Sequence, residues 1–411
     1  MLRLLEAEDM AGKNKKSSYG PGFLVTAAFI GPGTVTTCSL AGAQFGYALI
    51  YALVFATVTT IILQGMTGRL SLGSNHDLAQ SLREFPQSRM TRNIFILLTL
   101  SSITFGCAAY EAGNIIGGTL GLETITSIPH KYWVALISLL AVLILGLGKF
   151  KLVEKLLIFL VFLMSVSFLT TLIIIKPNLL SLLKGMIPSF PNNSLYLILA
   201  LVGTTVVPYN LFLHSAAVKE KWHKAVDLKK VKKDLLLSIT LGGIISISIV
   251  MTSAVAFYEK GLTPEDGIQL AQQLKPLFGT FTNFLFGLGF FAAGMSSALT
   301  APYAAAFASS GVLGWKGGPD SKKFKGVWLG VIVVGFLVSG LNLKPLAVIV
   351  FAQAANGIIL PVASIFLLIV LNNRQRMRQL ANNIRQNILG TLIVLIVTCL
   401  GLWNIVKLFM K

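Results

Sequence analysis

The chain has 411 residues, of which 55% are hydrophobic and only 12% charged, and its mean hydropathy is +0.78. A soluble domain carries about 25% charged residues, so this composition excludes an ordinary soluble globular protein. The net charge of +19 resembles that of a nucleic-acid binder, but the basic residues sit between apolar segments, as cytoplasmic loops of membrane proteins do, and nucleic acid is excluded as a partner.

A bilayer span needs about 20 apolar residues. Eleven segments qualify, at roughly 22–45, 47–67, 93–118, 132–148, 153–175, 194–217, 235–258, 281–312, 326–341, 345–371 and 387–408. The expected fold is therefore an all-α polytopic membrane protein of about 11 transmembrane helices. Residues 1–20 are polar and read as a cytoplasmic tail, with no cleavable signal peptide and with the first span serving as anchor.

The first span is interrupted by Gly31-Pro32-Gly33, and the sixth by Pro208 and Asn210. A proline within a helix removes one backbone hydrogen bond and clashes with the preceding turn. In lipid each unpaired backbone group costs several kcal/mol, so such breaks survive only where they line a protein cavity. Paired breaks in corresponding spans of two halves mark a transporter's substrate site. Five spans separate the breaks, an odd number, so the second unit lies upside down relative to the first. The expected organisation is an inverted repeat of five plus five helices, about 21–176 and about 194–371, with an extra helix at about 387–408, all within one transmembrane domain over 21–411.

The longest loops, about 68–92, 176–193, 218–234 and 259–280, are too short to bury cores of their own. With a cytoplasmic N-terminus, Arg69, Arg83, Arg89 and Arg92, seven lysines from Lys219 to Lys233, and Arg374, Arg376, Arg378 and Arg385 fall inside, and the outside keeps 8 of the 34 Lys and Arg. The positive-inside rule thus places the protein in the plasma (inner) membrane with its C-terminus outside. The Lys219–Lys233 run reads as a solvated connector, with attraction to anionic lipid as a secondary role. Cys38, Cys107 and Cys399 all fall in apolar spans, with neither a disulfide framework nor a zinc pattern.

Hydroxyl residues crowd both breaks: Thr26, Thr34, Thr36, Thr37 and Ser39 at the first, and Thr204, Thr205, Tyr209, Asn210, His214 and Ser215 at the second. Each single hydroxyl has a bland reading, a bond back to its own helix; the group beside two breaks reads as a binding site. Half-helix ends there offer free carbonyls to cations and free N–H groups to anions. Glu111 is the one carboxylate well inside a span, with Asn114 one turn on, and an intramembrane acid marks ion coordination or a proton relay. His214 is a proton acceptor near neutral pH or a hydrogen-bonded helix histidine. His76, His130 and His223 lie in loops with nothing clustered around them. Ser296, Ser297 and Thr300 in span 8, and Gln353 and Asn356 in span 10, are cavity faces or helix–helix glue. No Walker motif, nucleophile elbow or Rossmann glycine pattern occurs in a suitable context, so the chain is expected not to be an enzyme, and no cofactor is expected.

These residues resemble motifs of the natural-resistance-associated macrophage protein (NRAMP) family of divalent metal transporters. Gly31-Pro32-Gly33-Thr34 and the following Ala41-Gly42-Ala43-Gln44-Phe45-Gly46-Tyr47 resemble the family's DPGN and AGxxFGY. Val207-Pro208-Tyr209-Asn210-Leu211-Phe212-Leu213-His214-Ser215 resembles MPHNLYLHS. Ala292-Ala293-Gly294-Met295-Ser296-Ser297 resembles AAGQSS, and Gln353 through Pro361 resembles SQVVLSxQLP. The resemblance covers essentially the whole chain and implies the leucine-transporter-like fold of the APC superfamily, with helices 1 and 6 broken. It also exposes departures. The family's metal-binding Asp falls on Gly31, its Asn on Thr34, its soft Met ligand on Val207 and its first span-6 His on Tyr209. Gln353, His214 and the backbone carbonyl near Thr204 carry over, and the family's proton-pathway acids align with Glu111 and Asn114.

A thioether selects soft transition metals, and its loss removes the basis for preferring manganese or iron. A bare dication in a low-dielectric site needs counter-charge, whereas neutral groups suit a hydrated hard ion such as magnesium, which keeps its waters. The favoured expectation is an NRAMP-like secondary transporter of a divalent cation, coupled to protons through Glu111, Asn114 and His214. Gly31, Gly33, Thr34, Thr204, Val207, Tyr209, Asn210 and Gln353 line the substrate site, and Thr34, Thr204 and Gln353 hold the metal. One alternative is the same scaffold adapted to a small organic solute such as an amino acid; another is a non-transporting sensor. The expected partners are the lipid bilayer and a small ion or solute, with the chain acting as a monomer.

Overall fold

The computed structural model describes residues 20–22, 30–86, 88–126, 128–148, 150–341 and 343–409. Thr26 and most of the first half of span 1 lie outside the described residues, as does the N-terminal tail. Among the described residues twelve long helices follow in order: α1 (Pro32–Phe45), α2 (Ile50–Ser74), α3 (Arg89–Glu123), α4 (His130–Leu147), α5 (Phe150–Ile175), α6 (Leu195–Thr205), α7 (Pro208–Lys221), α8 (Leu228–Ala256), α9 (Thr282–Leu313), α10 (Lys322–Ser339), α11 (Pro345–Leu371) and α12 (Ile384–Phe409). Nine stretches of the described residues are long and apolar enough to cross a membrane. The count of eleven is completed by α1, the second half of span 1, and by α10, whose first turn carries Lys322, Lys323 and Lys325. Helices α6 and α7 are the two halves of span 6.

The bundle is apolar outside and polar at its centre, the arrangement a bilayer requires. Leu139, Leu143 and Leu147 on α4, Leu156, Phe159 and Phe162 on α5, and Ile388, Leu392 and Leu395 on α12 are exposed. Thr34, Thr36, Thr37, Thr204, Thr205, Asn210 and Ser215 are buried at the middle. Lipid tails are as apolar as leucine, so helices associate through close packing of small residues. The contact of α3 with α9 shows this. A Cβ on Gly121 would fall 2.3 Å from the Phe291 nitrogen, and one on Gly294 would fall 2.3 Å from the Gly118 nitrogen. The two backbones therefore touch where span 3 crosses span 8.

Several sequence boundaries shift. Only residues 222–227 separate α7 from α8, so four of the seven lysines in the stretch read as a loop fall in the first turns of α8. The reason is amphipathic: Val231 and Leu235 bury against Leu72 and Val218, while Lys229, Lys232 and Lys233 stay outward. Helix α2 runs on to Ser74, which puts Arg69 inside a span rather than in a loop. Its buried guanidinium donates to Gln386 Oε1 of α12 at 2.7 Å. His76 and His130 are not isolated either. His76 Nε2 lies 2.9 Å from Glu84 and His130 Nδ1 lies 3.0 Å from Glu123. Cys38 and Cys107 are buried and Cys399 is exposed, all as free thiols.

Candidate transport site

Both breaks begin a half-helix with proline at its first position, where the missing N–H costs nothing. At the first, Gly31 is extended (φ −122°, ψ −174°) and α1 starts at Pro32. At the second, α6 ends at Thr205, Val206 and Val207 leave the helical region (ψ 73° and 122°), and α7 starts at Pro208. A helical carbonyl pairs with the N–H four residues on. For Thr204 that residue is Pro208, which has none, so the sequence itself frees the Thr204 carbonyl.

The two breaks meet. The hydroxyls of Thr34 and Thr204 share a hydrogen bond of 2.8 Å. Gln353 of α11 wedges between the same segments. A Cβ on Gly33 would lie 2.0 Å from its side-chain Nε2, and one on Gly203 would lie 1.9 Å from its backbone oxygen. Glycine is needed at both positions for close approach rather than for backbone torsion. Val207 supplies an apolar wall, and Tyr209 packs edge-on against Tyr110 of α3 with ring centroids 5.8 Å apart. Thr34, Thr204, Val207, Tyr209, Asn210 and Gln353 are each no more than 2% exposed. Gln353 Oε1, Tyr209 Oη and both amide atoms of Asn210 have no hydrogen-bond partner. Buried polar atoms without partners are costly, and at the junction of two breaks they are what a bound polar species would satisfy.

The titratable candidates sit to the side. Glu111 is fully buried and accepts from Asn114 Nδ2 at 3.4 Å, while its Oε1 has no partner. Its Cγ is 2.6 Å from where a Cβ on Gly335 would be, so the acid faces α10. The neighbouring face of α3 meets the breaks, through Tyr110 and through Gly117, where a Cβ would lie 2.2 Å from the Pro32 Cβ. His214 points to α2, with Nδ1 2.8 Å from Thr67 Oγ1 and Nε2 unpartnered. Asn114 and Glu111 are thus brought together, but neither they nor His214 are part of the Thr34–Thr204–Gln353 junction. Among the described residues no group of three or more His, Cys, Asp or Glu could hold a metal ion. A dication in the junction would meet neutral oxygen only.

Two residues near the breaks, Tyr110 and Gln273, carry no sequence signal, and Ser297 carries an ambiguous one. Tyr110 was hidden because an aromatic residue in an apolar span gives no signal. Ser297 of α9 was legible only as a cavity face or glue, yet its Oγ lies 2.8 Å from the position of a Gly31 Cβ. Its neighbour Thr300 takes the bland role and bonds back to the Ser296 carbonyl at 2.9 Å. Gln273, in the connection between α8 and α9, is buried; its Nε2 donates to Ser39 Oγ at 2.9 Å, and its Oε1 accepts from Thr252 Oγ1 at 3.4 Å. It thereby ties α1 to α8 beyond the first break.

A family model described as natural resistance-associated macrophage protein-like matches residues 22–407. A relative named divalent metal cation transporter MntH, from Caldanaerobacter subterraneus, is 27% identical and is matched over 97% of each chain. Among solved structures, a manganese transporter from Eremococcus coleocola aligns with a TM-score of 0.73 at 21% identity, covering 94% of this chain and 85% of the other. Mhp1, a nucleobase-cation-symport-1 family transporter, aligns with a TM-score of 0.59 at 15% identity, covering 94% of this chain and 92% of the other, which shows a shared fold. The fold is thus the leucine-transporter-like one with inverted repeats, and the protein is a multi-pass membrane protein that belongs to the natural resistance-associated macrophage protein family.

Proposed function

We propose that the chain is a secondary transporter of a divalent cation that enters the site with part of its hydration shell. The observation that carries this reading is the junction itself. Two broken half-helices are joined by the Thr34–Thr204 hydrogen bond and presented with the unpartnered Gln353 Oε1 and the freed Thr204 carbonyl. These are oxygen ligands of the kind a hard cation accepts. None is charged, so the retained waters would spread the ion's charge. Val207, where relatives of this family place a thioether, offers no soft ligand.

The junction residues Thr34, Thr204, Tyr209, Asn210 and Gln353 are buried, and two cavities of similar size lie away from them. One, about 780 Å³, is lined by Asp77, Arg83, Glu220 and Trp315. The other, about 760 Å³, is lined by Glu259, Lys260, Gln269 and Gln272. Alternating access would open the junction to each in turn. The basic bias of the loops assigns the end carrying Asp77 to the cytoplasm. Glu111 with Asn114, and His214 with Thr67, would carry protons beside the cation path.

The test is uptake of manganese, magnesium and calcium into proteoliposomes. Saturable uptake of at least one is expected, and no uptake or binding of any would overturn the reading. Gly31→Asp sharpens it: the extended backbone at residue 31 sets no torsional bar to a side chain, and the added carboxylate should strengthen manganese binding. A second reading, a small organic solute, is favoured by Asn210 Nδ2, an unpartnered donor that a cation cannot use. Thermal stabilisation by amino acids together with none by metals would select it.

A further inference from the structure

We infer that Ser297 of α9 is a cation-binding residue of the transport site, its hydroxyl filling the volume that a side chain at residue 31 would occupy. The inference rests on reading the junction of the breaks as the site of a transported cation. Its geometry is independent of that reading. The backbone of Gly31 is extended, so no torsional demand explains a glycine there. Among the described residues, and beyond its chain neighbours, a Cβ at residue 31 would meet two atoms within 4 Å, the Oγ of Ser297 at 2.8 Å and its Cβ at 3.8 Å. Glycine at 31 and serine at 297 are therefore complementary choices on two helices.

The orientation of Ser297 supports a role at the break. Hydroxyls in apolar helices usually bond back to the carbonyl one turn earlier. Thr60, Ser138, Ser165, Ser246 and Thr300 all do so. Ser297 is 4% exposed, and among the described residues its Oγ forms no such bond. It is held instead against the start of α1. A hydroxyl presents lone pairs to a cation, or to a water bound to one, without adding charge. The neutral character of the first break is thus set from two helices. Any side chain at residue 31 displaces the hydroxyl, and the hydroxyl is available only because residue 31 has no side chain.

Mutual exclusion predicts a specific form of epistasis, read from Ser297→Ala, Gly31→Ala and the double variant in the full-length protein. Manganese and magnesium binding and proteoliposome uptake are measured, together with thermal unfolding of the cation-free proteins. A hydrogen-bonding oxygen facing a charged ligand is worth about tenfold or more in affinity. Ser297→Ala should weaken cation binding about tenfold. Gly31→Ala should weaken it similarly, because its methyl displaces the same hydroxyl, and the double variant should be no weaker than either single one. In the cation-free proteins, Gly31→Ala should lower the unfolding temperature more when Ser297 is present than when residue 297 is alanine. Wild-type uptake with an unaffected Ser297→Ala, or additive losses in the double variant, would overturn the inference and leave the cation reading standing. A wild type that binds and moves no divalent cation would overturn both, and its own zero separates that outcome from the first.

Discussion

At the helix breaks Thr34, Thr204 and Gln353 offer neutral oxygen only, whereas the buried Glu111 and His214 each face a different flanking helix. Thr34 and Thr204 bond across the breaks to each other. Glu111 turns to α10 with Asn114, and His214 turns to α2 with Thr67. The difference separates two tasks. The junction of the breaks is polar and uncharged, held by close backbone approach, and Glu111 and His214 stand beside it. On the proposed function, the cation's charge would be met by its own waters, and a proton on Glu111 would act from a distance rather than by sharing a ligand.

The contrast breaks most severely where the backbones touch. Gly203→Ala would drive a methyl into the Gln353 carbonyl oxygen at 1.9 Å, with the Gly357 nitrogen at 2.9 Å behind it. Neither atom is the end of a flexible side chain, so a destabilisation of about 3 kcal/mol or more is expected, visible as a lowered unfolding temperature in detergent. A variant as stable as the wild type would show that Gln353 is not wedged between the breaks. Gly33→Ala meets the movable Gln353 amide instead, and should cost less stability while still displacing the amide from the site.

Glu111→Gln addresses the flank. The change keeps shape and removes the acid. Uptake driven by a pH gradient should fall about tenfold, as expected when an intramembrane proton carrier is lost, while uptake at equal pH stays near the wild-type level. Equal loss under both conditions would place Glu111 in the cation path and erase the separation of tasks. A smaller effect is expected at the bridge. In a cycle of Thr34→Val and Thr204→Val, the coupling energy should be about 1 kcal/mol, the net worth of one buried hydrogen bond. Zero coupling would mean the breaks are held by packing alone.

The smallest effect lies outside the bundle's core. Asp77 caps the short helix Leu78–Glu84 by accepting from the Gln80 N–H at 2.9 Å. Asp77→Ala should cost about 1 kcal/mol. Burial raises the Asp77 carboxyl above its usual range. The folded state therefore holds that proton to higher pH than the unfolded chain does, and stability falls as pH rises through the window between the two values. Asp77→Asn should flatten that slope and retain most of the cap, in thermal melts taken from pH 4 upward.

Much of this layout was legible in the residues. Pro32 between two glycines and Pro208 beside Asn210 located both breaks, whereas Pro302 and Pro361 sit inside continuous helices, and the odd spacing between the breaks indicated the inverted halves. Glu111 and Asn114, one turn apart on a helix, had to be neighbours. Contacts between helices were less legible. Nothing in the order of residues says that Gln353 reaches Gly33, that Ser297 fills the side-chain volume of residue 31, or that Glu111 faces Gly335. Each depends on the rotation of one helix about its axis relative to another, and about 100° per residue separates the break-facing Tyr110 from Glu111. The lysine-rich stretch misled for a related reason: its charges suggested a loop, while the two buried residues Val231 and Leu235 were enough to make it helical.

The central claim is that a neutral break carries a hydrated divalent cation. Side-by-side initial rates of magnesium and manganese uptake by the wild-type protein in proteoliposomes, each measured in competition with the other, test it most directly. With no carboxylate and no thioether at the junction, the account predicts saturable uptake of both ions and discrimination of less than about tenfold. Preference for manganese by about a hundredfold or more, or uptake of neither ion, would contradict it.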